Sequence, residues 1–364
     1  MRVLVTGGAG YVGAHACKAL AAAGHTPIVF DNLTQGHAEA VRWGKLEIGD
    51  LSDAARLDHV FRAHAPQAVM HFAALSVVAV SVNKPALYYA ANIGGTLGLL
   101  AAMRRAGVDT IVFSSTAAVY GTPEISPIVE SAPLAPINPY GFSKLVIERA
   151  FADYQRAYGL KWCALRYFNA AGADPDGEIG EAHEPETHAL PLAIRAALSH
   201  DGVFRVFGED YPTPDGTCVR DYVHVSDLAA AHVAALDYLA GGGAPGAFNL
   251  GSGEGASIRQ ILAAIGRAVG REVPVASAPR RPGDPPALVA DPARAMEALG
   301  WRPRFSDLDA IVRSAVAWPR RECNSCSAGP ASHGTSPGPA AAASAASGAT
   351  PGSDRGFRPA GRGR

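Results

Sequence analysis

The sequence predicts an α/β protein: a doubly wound parallel sheet, with a smaller α/β substrate-binding lobe added in the second half. Three observations lead there. Short β-branched runs alternate with Ala-rich helical stretches up to about Asn169, the pattern of a parallel sheet covered on both faces. A glycine-rich turn joins the first run to the first helix. After Gly172 the alternation loosens into loops rich in Gly, Pro and acidic residues.

The elements follow in order. Arg2–Val5 reads as a buried strand ending in a tight turn, and Tyr11–Ala23 as a helix closed by Gly24. Strands are expected at Thr26–Phe30, Leu46–Ile48, Ala68–Phe72, Thr110–Phe113 and Trp162–Arg166. Helices are expected from the N-cap Asp53 to His64, over Lys84–Ala106, from Pro139, and over Leu190–Leu198 and Ile258–Val269. This divides the chain into a dinucleotide-binding domain at 1–170 and a lobe at 171–320, with part of 221–250 packing back on the first domain. The segment 321–364, dominated by Ala, Gly, Ser and Pro, buries too little apolar surface to offset its ordering entropy and reads as a disordered tail.

A composition of 48% hydrophobic and 18% charged residues is that of a globular protein. The net charge of −1 gives no general attraction to nucleic acid or to an anionic membrane, so neither is expected as a partner. Cys17, Cys163, Cys218, Cys323 and Cys326 form no disulfide framework, which suggests reduced thiols in a cytoplasmic protein. Cys323-x-x-Cys326 lacks a second Cys/His pair, so no metal site is expected. The N-terminus lacks a signal-peptide pattern, and no apolar run is read as approaching the ~20 residues needed to span a bilayer.

Gly7, Gly10 and Gly13 are spaced three apart in Gly7-Gly-Ala-Gly-Tyr11-Val12-Gly13, directly after a strand and opening a helix. Bare backbone there lets a pyrophosphate approach the free N–H groups and positive end of the helix. Asp31 closes the second strand, where a carboxylate accepts hydrogen bonds from adenosine ribose hydroxyls and repels a 2′-phosphate. The cofactor expected in this Rossmann-type site is therefore NAD. Asn32 follows Asp31, and Asp50 and Leu51 end the third strand, where Asp50 would meet the adenine.

Tyr140 and Lys144 are four apart at the start of a helix, so both emerge on one face. An ammonium beside a phenol favours the phenolate and makes it a general base. Ser114 and Thr116 lie at the C-terminal end of the fifth strand, the ligand-binding end of open α/β sheets. A hydroxyl there can relay a proton to Tyr140.

These residues resemble the extended short-chain dehydrogenase/reductase superfamily and, within it, the UDP-glucose 4-epimerases. The motifs that carry the resemblance are Val3–Gly13, Phe30-Asp-Asn-Leu33, His71-Phe-Ala-Ala-Leu75, Lys84-Pro, Asn92, Ser114–Gly121, Tyr140–Lys144, Arg166-Tyr-Phe-Asn169 and the long block Phe207–His224. The resemblance implies Thr116, Tyr140 and Lys144 as the catalytic group. It implies Phe72, Ala73, Ala74, Asn92, Ser114 and Phe168 around NAD, and Asn169, Arg220, Tyr222, Arg281 and Asp284 around a UDP-sugar, with Phe207 near the uracil. The two arginines suit the oxygens of a diphosphate. It further implies C4 oxidation to a transient 4-keto sugar that turns and is reduced on its other face, and a homodimer built on the long helices Lys84–Ala106 and Pro139–Tyr158.

The chain departs from many relatives in Ala74-Leu-Ser-Val-Val-Ala-Val80, where Ser76 replaces a cofactor-touching lysine and Val80 a glutamate. Leu288 stands where some relatives carry a bulky tyrosine, leaving room for N-acetylated sugars. His188 stands where some have asparagine, within reach of the nucleotide. A UDP-pentose or UDP-N-acetylhexosamine 4-epimerase and a non-catalytic NAD-binding sensor are the competing readings. A dehydratase needs an acid/base pair beside the strand-end threonine, and Thr116 is followed by Ala117-Ala118.

Overall fold

β-branched and apolar residues at every position of Val3–Val5 and Ile28–Phe30 leave no polar face, so these strands must be covered on both sides. The computed structural model describes residues 1–281, 284–305 and 307–327. Its centre is a seven-stranded sheet of β1 (Arg2–Thr6), β2 (Thr26–Asp31), β3 (Lys45–Ile48), β4 (Ala68–His71), β5 (Thr110–Thr116), β6 (Lys161–Tyr167) and β11 (Gly246–Leu250). The order is β11-β6-β5-β4-β1-β2-β3, and every neighbouring pair is parallel. The chain reverses direction across the sheet between β1 and β4, the switch point where such sheets open a crevice.

One face is covered by α1 (Tyr11–Ala22) and α8 (Val225–Ala240), whose buried Ala16, Leu20, Leu228 and Leu236 pack in one core with Val3, Val5 and Val112. The other carries α2 (Ala54–His64), α5 (Gly95–Ala106) and α6 (Pro139–Tyr158), whose Leu57, Leu99, Met103, Ile147 and Phe151 meet Leu4, Ile28 and Phe113. Asp53 caps α2 by accepting from Arg56 N at 2.9 Å, and Asn138 caps α6 by accepting from Gly141 N at 2.8 Å. α8 therefore lies on the same face as α1, and β11 forms an edge strand of the sheet.

The helix expected over Lys84–Ala106 is interrupted. α3 (Val78–Asn83), not anticipated from the sequence, and α4 (Pro85–Tyr88) lead into one π-helical stretch, Tyr89–Gly94, and then α5. By length and composition Pro85–Ala106 could cross a membrane, with mean hydropathy 1.3 over an 18-residue window, which corrects the reading that no such run exists. Its apolarity has another cause. Leu99, Leu100, Ala102 and Met103 are buried in the protein core, as a covering helix requires.

The second half assembles β7 (Asn169–Ala171), α7 (Ala189–Leu198), β8 (Phe204–Phe207), β9 (Val219–Arg220), β10 (Tyr222–His224), β12 (Ala256–Ser257), α9 (Ile258–Val269), β13 (Val275–Ala278), β14 (Ala287–Leu288), α10 (Ala293–Ala298) and α11 (Leu308–Ser327). A third core of Leu190, Ile194, Val206, Ile261, Ile265 and Val312 holds this lobe. Ser257 and Gln260 form a capping box at the start of α9. α11 continues past Glu322 to Ser327. The rest of the expected tail lies outside the described residues, as do the side chains of Cys323 and Cys326, whereas Cys17, Cys163 and Cys218 are free and buried.

Candidate active site

The glycine turn is shaped by steric need. Gly7 has φ +72°, and a Cβ there would meet Ala73 N at 2.5 Å; a Cβ on Gly13 would lie 2.2 Å from Gly7 O. Both distances are impossible for a side chain, so β1 can approach the 72–74 segment and α1 only through bare backbone. Gly10 N donates to Gly7 O at 3.2 Å and Ala14 N to Gly10 O at 2.8 Å, which sets the first turn of α1 under Tyr11 and Val12. Asp31 is buried, with Oδ2 accepting from Ala9 N at 3.0 Å and Oδ1 from Leu33 N at 2.8 Å. That fixes its carboxylate at the strand end while leaving lone pairs for ribose hydroxyls. Asn32 Nδ2 donates to Asp50 Oδ2 at 2.7 Å, and Ser52 donates to Asp50 Oδ1, so Asp50 is held below the usual carboxylate range. Leu51 packs over Gly95, where a Cβ would come within 3.1 Å of it. A narrow cradle with a fixed acid at the β2 end fits a dinucleotide.

Across the switch point, Phe72 N and Ala73 N both donate to Thr6 O, at 2.9 and 3.1 Å, and the Phe72 ring lies 4.6 Å from that of His232. Asn92, in the π-helical turn, accepts from Leu75 N at 2.8 Å and donates to Leu75 O and Ser143 Oγ, both at 3.0 Å. Both of its donors are used, so it clamps the loop after Ala74 to α6 and acts as a positioning residue. π-helical turns are enriched at such places. Ser76 and Val80, the departures from relatives, are exposed on this loop and on α3.

Thr116, Tyr140 and Lys144 come together at the end of β5. Lys144 is 2% exposed, and its Nζ donates to Ser114 O at 2.8 Å and stands 5.9 Å from the Tyr140 ring centre. Ser114 Oγ makes a short hydrogen bond with Tyr167 OH, and Thr116 hydrogen-bonds Tyr140. Thr116 Oγ1 also accepts from Ala118 N at 3.1 Å, capping the 3₁₀ turn Ala117–Tyr120. Burial pushes the Tyr140 phenol up to about 12 against the pull of Thr116, and burial brings the Lys144 ammonium down to about 7 against the attraction of Glu148. A nearby ammonium favours a phenolate, but burial outweighs that pull here, giving a neutral phenol beside an ammonium poised to lose its proton.

Two features escaped the sequence reading. Tyr167 joins Tyr140 at the site, and its phenol is likewise raised by burial. Beneath them, Glu148 accepts from Ser115 Oγ at 2.5 Å and from Arg166 Nη2 at 2.5 Å, while Arg166 Nη1 donates to Tyr120 OH at 2.9 Å. Arg166 and Glu148 are both about 95% buried, each side chain being 5% exposed. The available signal was helical spacing: Glu148 is one turn beyond Lys144 on α6.

The lobe side is built on Asp221, also missed. It is fully buried and accepts from Ser252 N, Ser252 Oγ, Gly253 N and Ala290 N at 2.6–3.1 Å. Its backbone O accepts from Asn169 N at 3.0 Å and its backbone N donates to Leu288 O at 3.0 Å, tying β7, β9 and β14 together. Around that knot stand Asn169, opposite Tyr222 in register, and Leu288, opposite Arg220. Tyr222 is buried; Phe168 and Leu288 pack in one small cluster. Arg220 pairs closely with Asp284, and the Arg281 guanidinium lies 4.0 Å over the Phe207 ring. His188 is turned into a different group, with Nδ1 2.6 Å from Glu181 Oε1.

Residues 3–251 match the NAD dependent epimerase/dehydratase family. The chain belongs to that family. It is 54% identical over 319 residues to a UDP-glucose 4-epimerase of Rhizobium meliloti (strain 1021), covering 88% of this chain and 97% of the relative. Among solved structures, the family member is similar to UDP-glucose 4-epimerase from Brucella ovis in complex with NAD, at 54% identity and TM-score 0.85, covering 87% and 97% of the two chains. It is also similar to UDP-glucose 4-epimerase from Bifidobacterium longum in complex with NAD+ and UDP, at 37% identity and TM-score 0.84, covering 89% and 99%. These likenesses do not favour a pentose or N-acetylhexosamine epimerase, nor a non-catalytic sensor, as the main reading.

Proposed function

We propose that this epimerase-family enzyme interconverts UDP-galactose and UDP-glucose by NAD-dependent 4-epimerisation. The observation that carries the site assignment is the meeting of Thr116, Tyr140 and Lys144 at the ligand-binding end of β5, beside a glycine cradle that admits no side chain. Gly7, Gly10, Gly13, Asp31 and Asp50 would hold the adenosine and pyrophosphate, with Phe72, Ala73 and Ser114 bordering the nicotinamide side. When bound, NAD supplies a hydride acceptor and donor for the sugar C4, with no net oxidation of substrate.

The chain's own residues move the proton. Tyr140 acts as the base only as phenolate, a form that the positive charges of Lys144 and of bound NAD would favour after its own proton has passed to solvent. It then accepts the proton of the sugar 4-OH and later returns it, with Thr116 Oγ1 within hydrogen-bond reach as relay. Lys144, fixed to Ser114 O, sets the charge of the site as Tyr140 changes state. Arg220 and Arg281 neutralise the diphosphate, exchanging their present partners Asp284 and Phe207 for phosphate oxygens. Phe207 is then free to stack on the uracil, and Asn169, Tyr222 and Leu288 border the hexose.

A homodimer and a cytoplasmic setting complete the reading. Leu87, Tyr89, Leu97 and Phe142 lie 38–50% exposed on α4, the π-helical turn, α5 and α6, an apolar surface that a second copy would cover. The three buried free thiols suit a reducing compartment. Purified protein incubated with UDP-galactose, without added NAD, should form UDP-glucose, and the Tyr140→Phe protein should not. No conversion by the unmodified protein, even with NAD supplied, refutes the proposal.

A further inference from the structure

We propose that Glu181, His183, Glu186 and His188, on the loop between β7 and α7, form a binding site for a divalent transition metal of the zinc class. Eight consecutive residues bring two carboxylates and two imidazoles together, and their candidate ligand atoms all lie within 4.8 Å of one another. His188 Nδ1 is 2.6 Å from Glu181 Oε1 and 3.4 Å from Glu186 Oε1; His183 Nδ1 is 3.1 Å from Glu181 Oε1. Ligands at ordinary zinc–nitrogen and zinc–oxygen bond lengths in a tetrahedron stand roughly 3.3–3.6 Å apart, so these separations need only small adjustment.

The surroundings argue against an ordinary solvated charge cluster. The Glu186 and Glu181 side chains are only 3% and 8% exposed. Glu186 Oε2 lies 3.9 Å from His183 Nδ1, beyond hydrogen-bonding distance, so the second oxygen of this nearly buried side chain faces the cluster without bonding that imidazole. Glu186 Oε1 accepts from Thr187 N at 2.6 Å and His188 N at 2.7 Å, which orients the carboxylate from behind as outer-shell partners do. Two carboxylates balance a divalent ion, and a mixed imidazole–carboxylate set selects zinc, cobalt, nickel or copper over calcium and magnesium. His183 and His188 are 23% and 50% exposed, which leaves a way in.

The contrast with a neighbouring group is instructive. Asp174, Asp176 and Glu178 also converge, but Lys18 Nζ already sits among them at 2.7–2.8 Å. Among the described residues, no lysine or arginine is paired with the Glu181 group. A metal there would clip the loop beside Tyr11, whose ring lies 6.2 Å from that of His183, and beside α7, which begins directly after His188.

The test is calorimetric titration of ZnCl2 into the chelator-treated full chain, repeated with Co2+ by visible absorption. One saturable equivalent per chain and tetrahedral Co2+ bands are expected. Removing a ligand, in His183→Asn or in Glu186→Gln, should weaken binding about 100-fold or more, at or beyond the upper end of what outer-shell changes cost. Cys323→Ser/Cys326→Ser should bind as the unmodified chain does. His183→Cys keeps a zinc ligand, so it should bind and add a thiolate–Co2+ charge-transfer band; that guards against loss by misfolding. Absence of saturable binding, binding unchanged in both ligand variants, or binding that disappears with the cysteines overturns the proposal.

Discussion

The two sides of the active site are held by different forces. On the cofactor side, Gly7 and Gly13 are dictated by backbone approach, Lys144 is fixed to Ser114 O, and Ser115, Glu148 and Arg166 are locked in a buried network. On the lobe side, the side chains proposed to bind the nucleotide sugar occupy one another: Arg220 is paired with Asp284, and Arg281 lies on Phe207. The scaffold beneath them, Asp221, is buried and accepts several hydrogen bonds. The first region is preorganised, as chemistry on a positioned proton demands. The second must exchange partners, which suits a ligand that has to enter, turn and leave.

The comparison breaks first at Tyr140. If this side supplies the chemistry, Tyr140→Phe should lower kcat by about 10²–10⁴-fold, the usual worth of a positioned acid/base group. KM should stay nearly constant, because the ring remains. A mainly raised KM would move Tyr140 to the binding side. Next is the network below it. Glu148→Gln leaves the buried Arg166 without its counter-charge, a change that costs about 3–5 kcal/mol in comparable sites. A urea midpoint within experimental error of the parent would show that the Glu148–Arg166 pair does not hold this half together.

What could be read from the sequence follows the same division. Strand–helix alternation and the glycine spacing exposed the sheet, α1 and the Asp31 position, because those depend on local periodicity and on sterics between near neighbours. Tyr140 and Lys144 were visible because a helix places residues four apart on one face. Tyr167 and Arg166 were not, since their roles arise from β5 and β6 lying side by side, which spacing does not encode. Asp221 was hidden for the same reason: its partners Ser252, Gly253 and Ala290 lie far along the chain. α3 failed for another reason. Val78-Ala-Val80 carries β-branched residues that favour strands, and the three exposed valines Val78, Val80 and Val82 do not show a buried helical face.

Alkaline titration sharpens the contrast, because the chain's five lysines, Lys18, Lys45, Lys84, Lys144 and Lys161, all precede the lobe. Burial lowers Lys144 from its ordinary 10.5 to about 7. Between those values the unfolded chain binds a proton that the folded chain lacks, so this group makes stability rise with pH, by at most about 1.4 kcal/mol per pH unit. The unfavourable contribution is fully present below pH 7 and gone above 10.5. In NAD-free protein, the urea midpoint of Lys144→Met should therefore rise less between pH 7 and pH 9 than that of the parent. Equal slopes would mean that Lys144 keeps its proton in the folded site.

The smallest effect is expected on the lobe side. Arg281 is exposed and stacked on Phe207, so solvent screens much of its attraction for a diphosphate. Arg281→Ala should raise KM for UDP-galactose about 10-fold, the low end for a charge-assisted hydrogen bond, and leave kcat within a factor of two or so. The stack adds a second, opposing term. Breaking it is part of binding, so Phe207→Leu should lose uracil stacking while releasing Arg281 at lower cost. The double variant should then fall short of the summed single effects, as residues in contact generally do. Strict additivity would mean that Arg281 and Phe207 act separately, and that the lobe side is as preformed as the cofactor side.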